Sequence, residues 1–220
     1  MRAAGPLVAQ GLRVTYGDHV AVRGVDLALS PGDTLAVTGP AGAGKTSLLW
    51  ALAGATAYDG RVLLDDRPVT ERTTAAALGV SLVPQGNGLA AALTAEENVL
   101  VPLVIGGVAA DEARDRTRTA LDAVGLGDSG RHLVEELSGG QQQRVAVART
   151  LAARAVVLLA DEPTSDLDSA TRELVVATLL AEARQGAVVV VATHDPDTAA
   201  AFDAELRLDD GTATWVRPPP

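Results

Sequence analysis

Cysteine is absent from this 220-residue sequence. Its absence excludes disulfides, a thiolate metal site and a cysteine nucleophile. Long apolar runs are missing too. The longest strongly apolar runs, Ala155–Ala160 and Ala187–Ala192, fall far short of the roughly 20 residues that span a bilayer. The N-terminal stretch MRAAGPLVAQ has no extended apolar core ahead of a cleavage site, so it does not read as a signal peptide. Positive charge is in short supply. Lys plus Arg is 18 against 28 Asp plus Glu, for a formal charge of −10. That balance argues against nucleic acid as a partner, because phosphate contacts need a basic face. Lysine is the scarcer cation by far. Lys45 is the only one, beside 17 arginines, so the position that keeps it is informative.

What is present suits a single globular domain. At 47% hydrophobic and 21% charged the chain can bury one core, and its length is small for two. No repeat or low-complexity linker interrupts it, and only the tail Pro218–Pro220 reads as disordered. The N-terminal third reads as strands. Leu12–Tyr16 and Val25–Leu29 alternate apolar and polar residues, as half-buried antiparallel strands do. Leu35–Thr38 is a short apolar strand, Lys45–Ala53 has helical spacing, and Gly60–Asp65 and Val80–Val83 read as further strands.

The middle is helical. Thr94 followed by Glu97 fits a capping box, so a helix begins near Ala95, with Pro102 and Gly106-Gly107 breaking the pattern soon after. Asp111–Val124 is amphipathic and ends at Gly125; Ser138 and Gln141 form a second capping box before a helix to about Arg154. The last third alternates again. Val156–Ala160 and Ala187–Thr193 are apolar runs suited to buried parallel strands. Between them lies a helix over Ser169–Arg184. Asp195-Pro196 starts another over Asp197–Phe202, and Asp209-Asp210-Gly211 joins a hairpin. Strand–helix alternation with a Gly-rich first turn predicts a three-layer α/β core.

Gly39-Pro40-Ala41-Gly42-Ala43-Gly44-Lys45-Thr46 matches the phosphate-binding loop GxxxxGK[ST], placed between an apolar strand and a helix. Its glycines let backbone N–H groups turn toward phosphate oxygens, and the helix N-terminus adds a favourable dipole. Lys45 is then expected at the β- and γ-phosphates of a nucleoside triphosphate, and the Thr46 hydroxyl on Mg²⁺. Ser47 follows directly, and Gly39 to Ser47 are all candidate nucleotide-binding residues. Val156–Ala160 leads into Asp161-Glu162. A carboxylate at that strand end lies beside the phosphate loop in this architecture. Asp161 is expected to hold hydrated Mg²⁺, and Glu162 to orient and polarise the attacking water. These two motifs describe a nucleoside triphosphatase without saying which.

Leu137-Ser138-Gly139-Gly140-Gln141-Gln142-Gln143-Arg144 resembles the signature sequence of the ATP-binding cassette (ABC) family. Physically it is a capped helix start with two exposing glycines, a second place that favours an anion. The resemblance runs along nearly the whole chain, in order. Tyr16 stands where the family stacks an aromatic on adenine. Gln85, in Val83-Pro84-Gln85, matches the glutamine that approaches Mg²⁺ and water. Ser165-Asp166-Leu167-Asp168 matches the D-loop, with Asp168 as its aspartate, and His194 matches the switch histidine facing the γ-phosphate. His19 and His132 have no such context and read as surface residues. Three positions depart from the pattern. The segment from Gln85 to Leu93 lacks an aromatic, Ala160 replaces a leucine, and Asp166 adds a charge where a small or amide residue is usual.

The resemblance implies a P-loop NTPase (RecA-like) core with an antiparallel β subdomain over 1–85 and 152–220, and an inserted helical subdomain over 86–151. It implies two chains facing head to tail around two ATP molecules. Each nucleotide lies on one chain's phosphate loop and under the other's Ser138, Gly140 and Gln141. Hydrolysis then releases the pair and moves attached membrane subunits. Within the family the chain is similar to the lipoprotein-release, macrolide-export and cell-division group, through Leu93-Thr94-Ala95-Glu96-Glu97-Asn98-Val99 and Pro102-Leu103. The expected role is the ATPase subunit of an exporter at the cytoplasmic face of the membrane, bound to a transmembrane permease. Two alternatives stay open: a mechanotransmission subunit acting on an extracytoplasmic enzyme, and an importer ATPase. A soluble translation or DNA-repair ABC protein does not fit the length.

Overall fold

A computed structural model describes residues 5–220. The first four residues of the N-terminal stretch considered above lie outside the described residues. The chain builds two sheets. The smaller is antiparallel and holds β1 (Leu7–Tyr16), β2 (His19–Leu29), β4 (Asp59–Leu64) and β5 (Arg67–Pro68), in the order β2-β1-β4-β5. The larger holds β3 (Thr34–Thr38), β6 (Val80–Val83), β7 (Val157–Asp161), β8 (Val188–Ala192), β9 (Ala204–Asp209) and β10 (Thr212–Arg217). Its order is β10-β9-β3-β8-β7-β6, with all neighbours parallel except the β9–β10 hairpin.

Both faces of the parallel strands are covered, which is why they read as continuous apolar runs. Alternate residues serve different cores, as the two-residue period of a strand requires. Val157 and Leu159 of β7, with Val188 and Val190 of β8, pack toward the antiparallel sheet and helix α1 (Lys45–Leu52). Leu158 and Ala160, with Val189 and Val191, pack the other way. That second core includes residues of α3 (Ala95–Ile105), α4 (Ala110–Ala123), α5 (Gly139–Ala152) and α6 (Ser169–Arg184). Fully burying one such valine or leucine is worth about 1.5–3 kcal/mol. The result is the three-layer α/β arrangement expected of a P-loop NTPase fold.

Local differences from the sequence reading have physical causes. β1 begins at Leu7 rather than Leu12, because Gly11 sits at φ 58 and the register with β2 shifts between Ala9 and Leu12. A bulge of that kind interrupts the period-two pattern. β2 likewise begins earlier, at His19. A short helix, α2 (Arg72–Ala77), is added; it buries only Ala75 and so has no apolar stripe to reveal it. α3 continues through Pro102 to Ile105. Proline removes the bond to the Asn98 carbonyl, but the Asn98 side chain ties this region down, donating to Thr94 O at 2.9 Å and Ala90 O at 3.1 Å and accepting from Ala90 N at 2.8 Å. Both capping boxes form, at Thr94/Glu97 and Ser138/Gln141. Asp195 caps the last helix, α7 (Pro196–Ala200).

Candidate active site

Adjacent parallel strands end on one rim. β3, β8, β7 and β6 are neighbours, so the segments leaving their C-terminal ends meet there. β3 leads into residues 39–44, β8 into Thr193-His194, β7 into Glu162 and β6 into Pro84-Gln85. Between them lies a cleft of about 580 Å³. Residues 41–47, Gln85, Asp161, Glu162 and His194 all line it, with Tyr16 at its edge.

The loop wraps closely because glycine permits it. Gly44 lies at φ 102, and a Cβ there would stand 2.1 Å from the Ala21 carbonyl oxygen; Gly39, at φ 136, faces Leu208 O as closely. α1 starts on Gly44 with no side-chain cap and no acid in its first turn. Its leading N–H groups are therefore free to take an anion. Lys45 is buried, and its ammonium donates to Gly39 O at 2.8 Å and Pro40 O at 3.1 Å. Gly39 and Pro40 do not line the cleft; they hold its lysine.

Asp161 is only 2% exposed, and its Oδ2 has no hydrogen-bond partner among the described residues. Burial raises its pKa; the Thr46 hydroxyl opposes the rise, the Glu162 charge adds to it, and Lys45 opposes it. An orphaned carboxylate oxygen beside a threonine hydroxyl, with Gln85 in the same cleft, suits a hard cation with oxygen ligands. No group of three or more His, Asp or Glu placed to hold a metal ion by themselves occurs among the described residues. That donor set fits Mg²⁺, which takes few protein ligands and completes its shell with water and phosphate.

Glu162 adopts φ 50, a left-handed conformation that a non-glycine residue holds only under constraint. Its N–H donates to Ala192 O at 2.9 Å, and its carbonyl accepts from Gln143 Nε2 at 2.5 Å. Its Oε1 lies 2.9 Å from His194 Nδ1. Tyr16 is exposed, with its hydroxyl 3.3 Å from that of Thr56.

The family profile described as ABC transporter matches residues 22–165. The chain belongs to the ABC transporter ATP-binding family. A lipoprotein-releasing system ATP-binding protein, LolD 2 of Caulobacter vibrioides, is 42% identical, over 93% of this chain and 95% of that protein. The macrolide export ATP-binding/permease protein MacB of Marinobacter nauticus is 38% identical over 86% of this chain, which spans 30% of MacB. Among solved structures, the dimeric post-hydrolysis state of the ATP-binding cassette MJ0796 bound to ADP and Pi aligns with a TM-score of 0.87 and 30% identity, covering 96% of this chain and 99% of that one. As a cassette of this family the chain is an ATPase.

Not every expected residue of the ABC cassette reaches the cleft. Ser138, Gly140 and Gln141 lie outside it, at the start of α5. Ser138 Oγ accepts from Gln141 N, and Gln141 Oε1 accepts from Ser138 N, so both side chains are committed to the cap. Asp168 also stays outside. It caps α6, accepting from Thr171 N at 3.0 Å and Thr171 Oγ1 at 2.9 Å, and these bonds hold its pKa low. Conversely, His19 and Ser165 line the cleft, although the sequence assigns neither a role there. His19 is exposed, as expected of a surface residue, and only the turn at Gly17-Asp18 between β1 and β2 carries it beside Tyr16. Arg149 is a further unforeseen contributor. Its guanidinium donates to Gly88 O at 2.7 Å and Asn87 O at 2.8 Å, holding the turn that follows Gln85.

Proposed function

We propose that this cassette is the ATP-hydrolysing subunit of a membrane exporter, working as a head-to-tail pair closed around two MgATP. The observation that carries this reading is a divided site. Lys45, Thr46, Gln85, Asp161, Glu162 and His194 share one cleft, while the anion-favouring helix start at Ser138 opens elsewhere. A second copy supplies what each cleft lacks, and the dimeric state of the MJ0796 cassette supports the pairing.

In this mechanism the amides of residues 41–46 and the Lys45 ammonium take the β- and γ-phosphates, and Tyr16 packs on adenine at the open edge. Thr46, Asp161 and Gln85 would hold Mg²⁺, which neutralises phosphate charge when bound. Glu162 accepts a hydrogen bond from the attacking water and orients it toward the γ-phosphate, and His194 fixes that carboxylate. The partner subunit's Ser138, Gly140 and Gln141 close over the nucleotide, and Asp168 keeps the adjoining loop in register by capping α6. Loss of the γ-phosphate removes the charge that bridges the two chains.

The names of the lipoprotein-releasing and macrolide-export relatives support export. A permease partner is supported by the tip of α3, where Val104 and Ile105 are 48% and 81% exposed. No helix among the described residues is long and apolar enough to cross a membrane, so attachment at the cytoplasmic face would run through that permease.

The test uses Glu162→Gln with MgATP. The variant should bind ATP, turn over very slowly and double its mass by light scattering. It should also bring down a multi-span permease in stoichiometric amount from detergent-solubilised native membranes, read by mass spectrometry. Recovery of soluble partners alone would reject the transporter reading. A permease joined to an extracytoplasmic hydrolase would replace export with mechanotransmission.

A further inference from the structure

One side chain ties the two anion-facing parts of the chain together. Gln143 lies on α5, five residues after Ser138, and is 5% exposed. Its Nε2 donates to Glu162 O at 2.5 Å and to Ser165 Oγ at 3.2 Å, and its Oε1 accepts from Asp166 N at 3.2 Å. A single amide thus holds both the peptide that carries Glu162 and the loop beyond it. The same loop lies on the first turn of α5, where a Cβ on Gly140 would meet Asp166 O at 3.0 Å and Leu167 Cδ2 at 3.1 Å. Glu162 is also the residue whose φ of 50 needs outside support.

We infer that Gln143 is a positioning residue that couples the signature helix of each chain to that chain's own water-orienting carboxylate. This rests on the paired-chain reading above. In that pair the start of α5 engages the nucleotide of the other copy. A tilt of α5 on engagement passes through the Gln143 amide to the Glu162 carbonyl and so to the Glu162–His194 pair. Each site then reaches its hydrolytic geometry only when the opposite nucleotide is held. A buried amide with every hydrogen bond satisfied suits this task, because it has one low-energy arrangement and resists partial displacement.

Two variants test it in the full chain. Gln143→Met keeps the volume and removes all three hydrogen bonds. Gln143→Glu keeps an acceptor for Asp166 N and removes the donor to Glu162 O. Both should lower kcat for MgATP at least about tenfold while KM stays within about threefold, the signature of a contact that matters in the transition state. ATP-driven pairing in a Glu162→Gln background should persist in both. A merely packing role would leave Gln143→Met near the wild-type rate, and that result would overturn the inference. Loss of cooperative folding in both variants would assign Gln143 to the core and overturn it equally. Wild-type hydrolysis that shows no dependence on protein concentration would instead strike the paired-chain reading, leaving the kcat comparison to judge the contact with Glu162.

Discussion

His194 Nδ1 and Glu162 Oε1 are 2.9 Å apart, and the two side chains differ sharply in exposure, 66% for the histidine and 11% for the glutamate. The imidazole is thus the outer wall of a buried carboxylate. Glu162 has little freedom of its own, since its peptide is bonded on both sides. Removing the ring releases the carboxylate without touching the phosphate loop. His194→Ala should lower kcat by roughly 10²-fold, the scale of a lost acid–base or orienting group. Steady-state ATPase assays beside equilibrium nucleotide titration check this. Equal losses in affinity and rate would place the ring on the phosphates instead.

Lys45→Ala should weaken ATP binding by at least about 30-fold, near 2 kcal/mol, the range for hydrogen bonds to a charged group. Lys45→Arg should not restore it, because the planar fork does not reproduce a compact ammonium in a tight loop. Calorimetric titration with a non-hydrolysable ATP analogue measures both.

Gly44→Ala tests the loop's backbone rather than its charge. The new Cβ would meet the Ala21 carbonyl oxygen at 2.1 Å, and φ 102 lies outside what alanine adopts readily. The expected cost is about 3 kcal/mol or more, seen as a lower urea midpoint. A variant as stable as the parent would mean that this turn has a second accessible conformation.

Asp161 gives a pH dependence whose sign is fixed by its burial. Its folded pKa is raised by desolvation, so folding disfavours its charged form relative to the unfolded chain. Its contribution to stability is present below the unfolded carboxylate pKa and is lost as pH rises through the raised folded value. Asp161→Asn removes that loss. Without nucleotide the variant should melt at or above the wild-type temperature, with the difference widening as pH rises above the unfolded carboxylate range. Added MgATP should raise the melting temperature of the wild type and do so much less in the variant. A variant that is less stable at every pH would show the carboxylate to be satisfied by other means.

Much of this organisation is legible in local pattern, because its signals are short and stereochemically strict. The loop from Gly39 to Thr46, the caps at Thr94 and Ser138 and the turn at Asp210-Gly211 each depend on residues within a few positions. Gln143 left no such signal. Its meaning lies in residues 162 to 166, which come beside it only when β7 and α5 have packed. His19 and Arg149 are the same case, each reaching the site through a turn or a packed helix. The early part of β1 is hidden by the Gly11 bulge, and α3 reads as shorter because Pro102 is a breaker in local sequence, whereas in the fold the Asn98 side chain ties the region to Ala90 and Thr94.

Lys45 is also the chain's only side-chain amine. Amine-directed reagents therefore meet one side-chain target in this sequence, an ammonium pinned between the carbonyls of Gly39 and Pro40. Acylation of that lysine is a readout of the loop that holds it, so mass measurement of its peptide can follow nucleotide protection with no engineered label. The same scarcity leaves lysine-directed crosslinking a single side-chain anchor on this chain, Lys45. Carboxylate- or guanidinium-directed chemistry suits a surface this rich in acids and arginines.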